Sequence, residues 1–274
     1  MVPFLDNHQL VFIGGLHRSG TSLLHEILRD HPEISGFSDT GVTQDEGMFL
    51  QNVYPTAKPF GGPGRFGFDN KSFMDEDHPL ATEENAKKIF MEWGKHWKLN
   101  KKYLMEKSPP DLVRTRFLQK LFPHSLFIIV LRHPVAVAYA TKKWAGSGIP
   151  SLIEHSLRCY ERFMTDKAYL NKFFILRYED FVREPEKILN SITGWIGINR
   201  IQTNKPIRSD INKKYFLKWE EDQTNFVKQI LLGYKDLPEK YQKRFNNLGY
   251  CIKDIEQLMP VAWLGPNSDN KKNI

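Results

Sequence analysis

The feature that most constrains this chain is a turn bounded by two glycines near its N-terminus. The β-branched, apolar residues 10–13 predict a buried strand, and the pattern of residues 21–28 predicts a helix. Between them, residues 15–22 read GLHRSGTS, with the spacing G-x-x-x-x-G. Glycines at these two positions let the backbone turn tightly, so that successive N–H groups point at one anion beside the helix N-terminus. The sequence therefore predicts a strand, a phosphate-binding loop and a helix.

Further short apolar runs indicate the type of sheet. Residues 126–131 and 173–176 are unbroken apolar runs, and residues 103–105 predict a shorter strand. Runs of this kind are typical of strands buried on both faces, as in a parallel sheet covered by helices. Helical patterns occur at residues 21–28, 82–97, 113–121, 135–143, 152–170, 185–196 and 225–232.

This alternation predicts an α/β fold of the P-loop NTPase-like, three-layer type, with a central, mainly parallel sheet flanked by helices. Ligands of such sheets bind beyond the carboxyl ends of the strands. We predict one domain over residues 1–263, followed by a frayed polar tail over 264–274. The Gly-, Pro- and aromatic-rich residues 45–80 predict a lid or acceptor-binding segment.

The composition excludes several other classes of protein. Among 274 residues, 41% are hydrophobic and 26% charged, which is typical of a globular chain and not of disorder, collagen or a disulfide scaffold. No apolar run is long enough to span a membrane, and we see no signal peptide. Two cysteines, Cys159 and Cys251, indicate a reducing compartment, so we expect a cytoplasmic protein.

The net charge of +7 indicates an anionic partner: a nucleic acid, an acidic surface or a phosphorylated small molecule. The excess of Lys and Arg is spread along the chain and weighted towards its C-terminal half. Nucleic-acid binding requires basic residues clustered on one face with interleaved aromatics, so we rank a basic nucleic-acid-binding module last and expect no nucleic-acid partner.

The phosphate-binding loop departs from the version found in nucleotide-hydrolysing proteins. Those proteins need Lys directly after the second glycine, where this chain has Thr21, and the positive charge lies upstream at Arg18. A γ-phosphoryl group carries dense charge that Lys and magnesium neutralise together. A sulfuryl group carries less, so hydroxyls, N–H groups and one cation could suffice. This difference argues against the alternative of a P-loop kinase.

The run RSGTSLL that begins at Arg18, with His31-Pro32 downstream, resembles the 5′-phosphosulfate loop of sulfotransferases of the tyrosylprotein type and related bacterial enzymes. Those enzymes take sulfate from 3′-phosphoadenosine 5′-phosphosulfate (PAPS). The resemblance implies PAPS as co-substrate, no metal, and an acceptor hydroxyl on a sugar, a tyrosine or a small metabolite. The loop residues implied to bind the co-substrate are Arg18, Ser19, Gly20, Thr21 and Ser22.

Later motifs follow the same family in order. Arg132, at a strand end, resembles the Arg of the 3′-phosphate motif, which a Ser follows eight residues later. Here that residue is Ala140, and the adjacent Thr141 is the candidate replacement. Tyr178, in RYEDF, is either near the adenine or a core residue. Lys218, in FLKW, is the candidate for a second 3′-phosphate contact.

Sulfuryl transfer also needs a base and cations around the transferring group. The candidate cations are Arg18 and Lys107, the latter at the end of a predicted strand. Asp39 lies seven residues past His-Pro, where the family has Glu, but Asp45 and Glu46 are equally open candidates for the base. The His spacing does not match a zinc site. Acceptor specificity is expected in residues 45–80 and 144–150, and oligomeric state is not readable from the sequence.

Overall fold

The computed structural model describes residues 7–267. Its centre is a six-stranded sheet in the order β2-β3-β1-β4-β5-β6, in which only the β5–β6 pair is antiparallel. The predicted α/β fold with a mainly parallel sheet is therefore confirmed. The strands are β1 (Gln9–Gly15), β2 (Ile34–Gly36), β3 (Tyr103–Lys107), β4 (Leu126–Leu131), β5 (Phe173–Arg177) and β6 (Gly265–Pro266).

The helices follow the strands in chain order and cover the sheet. They are α1 (Thr21–Leu28), α2 (Glu83–Gly94), α3 (Thr115–Leu121), α4 (Pro134–Ala145), α5 (Ile149–Asp166), α6 (Tyr178–Arg183), α7 (Pro185–Ile196), α8 (Lys213–Thr224), α9 (Phe226–Leu231) and α10 (Leu237–Asn247). Single 3₁₀ turns form Thr43–Asp45, Gly47–Phe49, Lys58–Phe60, Phe66–Phe68, Asn70–Ser72, Pro109–Val113 and Lys167–Tyr169. No helix within residues 7–267 is both long and apolar enough to cross a membrane.

Side chains that alternate along the strands build a separate core on each face of the sheet. In β1, Phe12 packs in one cluster with Trp93 of α2, whereas Val11 and Ile13 pack in the other with Leu24 of α1. Successive side chains of a strand point to opposite faces, so a strand that is apolar at every position serves both cores. This arrangement is the predicted three-layer architecture.

Several predicted elements differ from the structure. The helix predicted over 152–170 is α5, which begins at Ile149 and ends at Asp166. The frayed tail predicted from residue 264 is wrong for residues 265–267, since β6 pairs with β5 and the Asn267 N–H donates to the Phe173 carbonyl at 2.9 Å. Residues 268–274 of that tail lie outside the described residues, whereas Leu264 is partly buried against the core. No pattern in the sequence predicted β2, α6, α8 or α10.

Candidate functional site

The loop between β1 and α1 depends on its two glycines. Gly20 has φ of 100°, a left-handed conformation that favours glycine, and a Cβ there would lie 2.5 Å from the Tyr178 ring. A Cβ on Gly15 would lie 2.6 Å from Ser19 Oγ and 2.8 Å from the Val130 carbonyl oxygen. The loop is therefore packed so closely against β4 and the start of α6 that larger residues do not fit.

Backbone strain concentrates around this loop. Within residues 7–267, the non-glycine residues with positive φ are Arg18, Asp39, Gln44 and Asp45. Such conformations are unfavourable and persist where surrounding contacts impose them, often at functional sites. Arg18 belongs to the loop, and the other three belong to the segment 39–46, which follows β2.

Hydrogen bonds bring this segment to the loop and to the end of β3. Ser22 Oγ lies 3.5 Å from Gln44 Oε1. Lys107 Nζ donates to the Gln44 carbonyl oxygen at 2.9 Å and lies 3.3 Å from Glu46 Oε1. The structure thus joins Ser22, Lys107 and Glu46, three residues predicted from separate parts of the sequence, through Gln44. No sequence signal had marked Gln44.

Lys107 and Glu46 form a buried ion pair. Lys107 is fully buried, and only 5% of Glu46 is exposed. Burial raises the pKa of Glu46 from its ordinary 4.5 to about 7, because the attraction of Lys107 only partly offsets the loss of hydration. The nearby Glu106 carboxyl acts in the same direction as burial. Glu46 therefore exchanges its proton near neutral pH, as a general base should.

The other two candidate carboxylates lie in different surroundings. Asp45 accepts hydrogen bonds from the Thr40 N–H at 2.9 Å and the Thr40 hydroxyl at 2.7 Å, and it lies 4.0 Å from Arg29. Partial burial raises the pKa of Asp45, but Thr40 and Arg29 outweigh it and hold that pKa below its ordinary value. Asp39 is exposed to solvent. Asp45 therefore stabilises the turn that begins at Thr40, whereas Asp39 lies at the surface of the protein.

Arg132, which directly follows β4, connects the loop to the segment before α8. Its Nη1 donates to the Arg18 carbonyl oxygen at 2.5 Å, and its Nε and Nη2 donate to Asn212 Oδ1 at 2.9 and 2.6 Å. Its guanidinium also lies 4.2 Å from the centroid of the Tyr178 ring. Tyr178 is thus a buried residue that contacts Gly20 and Arg132, both predicted site residues.

Glu179 holds Arg132 in position through His133 and Asn212, a role that could not be predicted from the sequence. Glu179 Oε1 accepts hydrogen bonds from the His133 N–H at 2.9 Å and from Asn212 Nδ2 at 2.7 Å. Its other oxygen, Oε2, accepts from the Tyr250 hydroxyl at 3.1 Å. Tyr250 therefore contributes to the same hydrogen-bond network, and it does so through a carboxylate from α6.

Two predicted nucleotide-binding residues, Thr141 and Lys218, lie outside the hydrogen-bond network around Arg132 and Glu179. Thr141 is buried against Leu152 and the segment containing Gly64, and its Oγ1 has no hydrogen-bond partner among residues 7–267. Lys218 is exposed on α8, one helical turn beyond Tyr215, whose ring lies 5.7 Å from the Arg132 guanidinium. The contacts predicted for Thr141 and Lys218 with the nucleotide stay predictions.

Both predicted acceptor segments lie against the phosphate-binding loop. The Arg18 guanidinium is 4.9 Å from the ring centroid of Trp144, which is 49% exposed at the end of α4. From the other segment, the ring of Phe66 packs 5.9 Å from the His17 ring and 4.7 Å from the His155 ring. Within residues 7–267, no three His, Cys, Asp or Glu side chains form a metal-binding group.

Comparison with known proteins places this chain in a family. A glycine-bounded loop at the end of β1, with cationic side chains from the ends of β3 and β4, is typical of α/β proteins that bind phosphate-bearing ligands. A model of the sulfotransferase family matches residues 10–202, more than half of the chain. The chain belongs to the sulfotransferase family, as the RSGTSLL run predicted.

Individual relatives are distant. The chain is 25% identical to protein-tyrosine sulfotransferase 2 of Gallus gallus over 207 residues, covering 69% of this chain and 51% of that protein. It is 26% identical to protein-tyrosine sulfotransferase 1 of Danio rerio over 208 residues, covering 72% and 56%. The chain thus spans about half the length of these relatives. Among solved structures, the sulfotransferase domain from the olefin synthase of Synechococcus PCC 7002 has a TM-score of 0.48 at 20% identity, covering 77% of this chain and 89% of that one.

Proposed function

We propose that this chain transfers a sulfuryl group from PAPS to an acceptor hydroxyl. The observation that carries the proposal is the convergence of the phosphate-binding loop, Arg132 and the Lys107–Glu46 pair at the carboxyl ends of β1, β4 and β3. These are the groups that such a transfer needs: an anion cradle, cations and a base with a pKa near neutrality.

The chain's own residues fit the phosphate groups of the proposed co-substrate. The hydroxyl of Ser19 is buried and has no partner among residues 7–267, and the tight turn at Gly20 opens α1. The backbone N–H groups at the start of α1 are suited to an anion, and Arg132 adds a cation beside them. PAPS, when bound, would supply the sulfuryl group and a phosphate as leaving group.

In the proposed reaction, Glu46 takes the proton of the acceptor hydroxyl. Its buried carboxylate is close to half ionised at neutral pH, since its pKa is about 7. Lys107 holds Glu46 and the Gln44 carbonyl in place and contributes positive charge. Arg18, exposed at the rim of the loop, is placed to attract the transferring group. The nucleophile would be a hydroxyl of a sugar, a tyrosine or a small metabolite.

We also propose that the protein works in the cytoplasm. The support is that Cys159 and Cys251 are both buried as free thiols, a state that suits a reducing compartment.

Incubation with PAPS labelled in its sulfuryl group tests the function directly. The acceptors are a tyrosine peptide, a monosaccharide and a simple phenol, and transferred label is measured. We expect label on at least one acceptor, and a loss of about a hundredfold in Lys107→Met, because removing one preorganised charge has effects of that size. Lys120→Met, at an exposed position of α3, is the matched control. Turnover of magnesium ATP without any label transfer would contradict the proposal.

A further inference from the structure

A second buried carboxyl holds the chain directly after Glu46. Glu106 is fully buried, and its Oε1 accepts hydrogen bonds from the Gly47 N–H at 3.0 Å and from the Ser108 hydroxyl at 2.5 Å. Ser108 Oγ in turn accepts from the Met48 N–H at 2.9 Å. Two consecutive backbone N–H groups after Glu46 are therefore fixed by the end of β3.

The main chain at Gly47 lies too close to the Glu106 side chain to leave room for a side chain at residue 47. A Cβ on Gly47 would lie 2.5 Å from Cγ and 2.6 Å from Oε1 of Glu106. The carbonyl oxygen of Gly47 accepts a hydrogen bond from the Trp93 indole N–H at 2.9 Å. The main chain beside Glu46 is thus held from both sides, by β3 and by α2.

The other oxygen of Glu106 and both oxygens of the neighbouring carboxyl, Asp111, have no hydrogen-bond donor among residues 7–267. All three oxygens are buried. The two carboxyl groups instead lie within hydrogen-bonding distance of each other. Two ionised carboxylates cannot form a hydrogen bond, whereas a carboxylic acid and a carboxylate can share one proton.

The charges around this pair are consistent with one retained proton. The groups that interact electrostatically with the pair are Lys107, Glu46, Arg114 and the Tyr54 hydroxyl. Arg114 is buried and donates to backbone carbonyl oxygens, including that of Pro55 at 2.8 Å. A pair with one proton carries a single negative charge, which together with ionised Glu46 balances Lys107 and Arg114.

We propose that Glu106 and Asp111 share one proton and act as positioning residues that hold Glu46 against Lys107. The proposal rests on the role of Glu46 in the proposed function. Neither residue touches the substrate; Glu106 acts through the backbone of Gly47 and, by way of Ser108, of Met48. The charge of Glu106 also raises the pKa of Glu46, and the hydrogen bonds at Gly47 and Met48 keep the two carboxyls close. Because one of the two carboxyls is protonated, an amide in its place keeps both its shape and its ability to donate a hydrogen bond to the other carboxyl.

Infrared spectroscopy tests the shared proton without requiring turnover. In a Glu46→Gln background, which removes the signal of Glu46 itself, we expect a protonated carboxyl band at neutral pH. The band should disappear when either Glu106→Gln or Asp111→Asn is added, since the amide then takes over as donor. Absence of the band, or its persistence in both of these variants, would overturn the shared proton whether or not the chain transfers sulfate.

Kinetics test the positioning role. Glu106→Gln and Asp111→Asn keep the shape and the single negative charge, so we expect turnover within about threefold of wild type. We expect Glu106→Ala and Ser108→Ala to lose about tenfold to a hundredfold in kcat, because small misplacements of reacting groups have effects of that size. The KM for PAPS should stay unchanged, and the pH profile of kcat should shift.

Ser125→Ala is the matched control, because Ser125 is a buried serine in the turn between α3 and β4, where its hydroxyl donates to the Phe122 carbonyl oxygen at 2.7 Å. If Ser108→Ala behaves like Ser125→Ala in both kcat and pH profile, the positioning role is wrong. That result stands even if Glu106→Ala fails to fold. Titration of Glu46 by carbon NMR in Ser108→Ala gives the same comparison without an acceptor, so it separates this proposal from the proposed function.

Discussion

At the scale of single residues, burial and neighbours distinguish carboxylates that the sequence leaves equivalent. Asp39, Asp45 and Glu46 lie within eight residues of one another. Only the structure shows that Asp45 bonds to Thr40 and that Glu46 is buried with Lys107. The sequence could predict that a base lies in this stretch, but the choice depends on contacts with β3, which is far away along the chain.

The first prediction concerns the role of Glu46 in turnover. Glu46→Gln keeps the size of the side chain and removes the proposed base, so we expect a loss of at least about a hundredfold in kcat. Binding of the product nucleotide 3′-phosphoadenosine 5′-phosphate (PAP), measured by calorimetry, should be unchanged. Asp45→Ala is the control: its loss of the Thr40 and Arg29 contacts should lower stability more than kcat. Full activity of Glu46→Gln with inactive Asp39→Asn would assign the base to Asp39.

The second prediction concerns the pH dependence of stability that Glu46 causes. Its pKa is raised from 4.5 to about 7 in the folded chain, so the folded state holds its proton more tightly than the unfolded state. The contribution of Glu46 to stability is therefore complete below pH 4.5 and is lost as pH rises through 7, a change of about 3 kcal/mol. In urea unfolding between pH 4.5 and 7, the free energy of unfolding should therefore rise less steeply, or fall more steeply, with pH in wild type than in Glu46→Gln. Parallel curves would contradict the raised pKa.

At the scale of elements, the site forms where strand ends meet segments without regular structure. The strand–loop–helix unit of β1 and α1 follows from local spacing, which is why the sequence predicted it. Arg132 and Lys107 were also predictable, because a polar residue that follows an apolar strand lies at the sheet edge. Asn212 and Glu179 were not, since each acts on Arg132 from another part of the chain.

The third prediction compares two glycines with positive φ. Gly146, after α4, has φ of 60° and open space around its Cα, whereas a Cβ on Gly20 would meet the Tyr178 ring at 2.5 Å. Both substitutions by Ala carry a backbone cost of about 1–2 kcal/mol. Gly20→Ala should cost about 1–3 kcal/mol more, from overpacking, and should weaken PAP binding. Equal losses of stability in urea, with PAP binding unchanged, would show that the loop does not pack on Tyr178 as described.

At the scale of the whole molecule, the chain buries many groups that titrate. Four histidines have their pKa lowered to about 3, chiefly by burial: His17, His25, His133 and His155. The apolar runs predicted the sheet, but they could not predict these histidines, because burial of a histidine depends on packing between elements. Phe66, for example, covers His155 from a segment more than eighty residues earlier.

The fourth prediction is that acid destabilises the chain through these histidines. A histidine with a folded pKa of about 3 contributes stability that is complete above its unfolded value of 6.5 and is lost as pH falls towards 3. Each contributes a slope of about 1.4 kcal/mol per pH unit, and four of them exceed the opposing effect of Glu46. His25→Leu, which replaces a ring whose Nε2 has no partner within residues 7–267, should lower the slope by about one histidine's share in urea unfolding. An unchanged slope would show that His25 is not buried neutral.

The structure shows where some of the cations behind the net charge of +7 lie. Arg18, Arg132 and Lys107 converge near one loop, while the cation of Arg244, for example, pairs with Glu154 and Glu161 on the surface of α5. A few cations therefore serve the candidate site, and others are balanced by neighbouring carboxylates.

Calorimetry with PAP measures whether this loop binds the nucleotide of PAPS, as we propose. We expect one molecule of PAP per chain, and affinity weaker by about tenfold to a hundredfold in Arg18→Ala, since a charge-assisted hydrogen bond contributes about 1.5–3 kcal/mol. Arg183→Ala, at an exposed position of α6, should bind like wild type. A wild-type chain that gives no heat of binding with PAP, or an Arg18→Ala variant that binds it equally well, would show that the loop is not the site of this nucleotide.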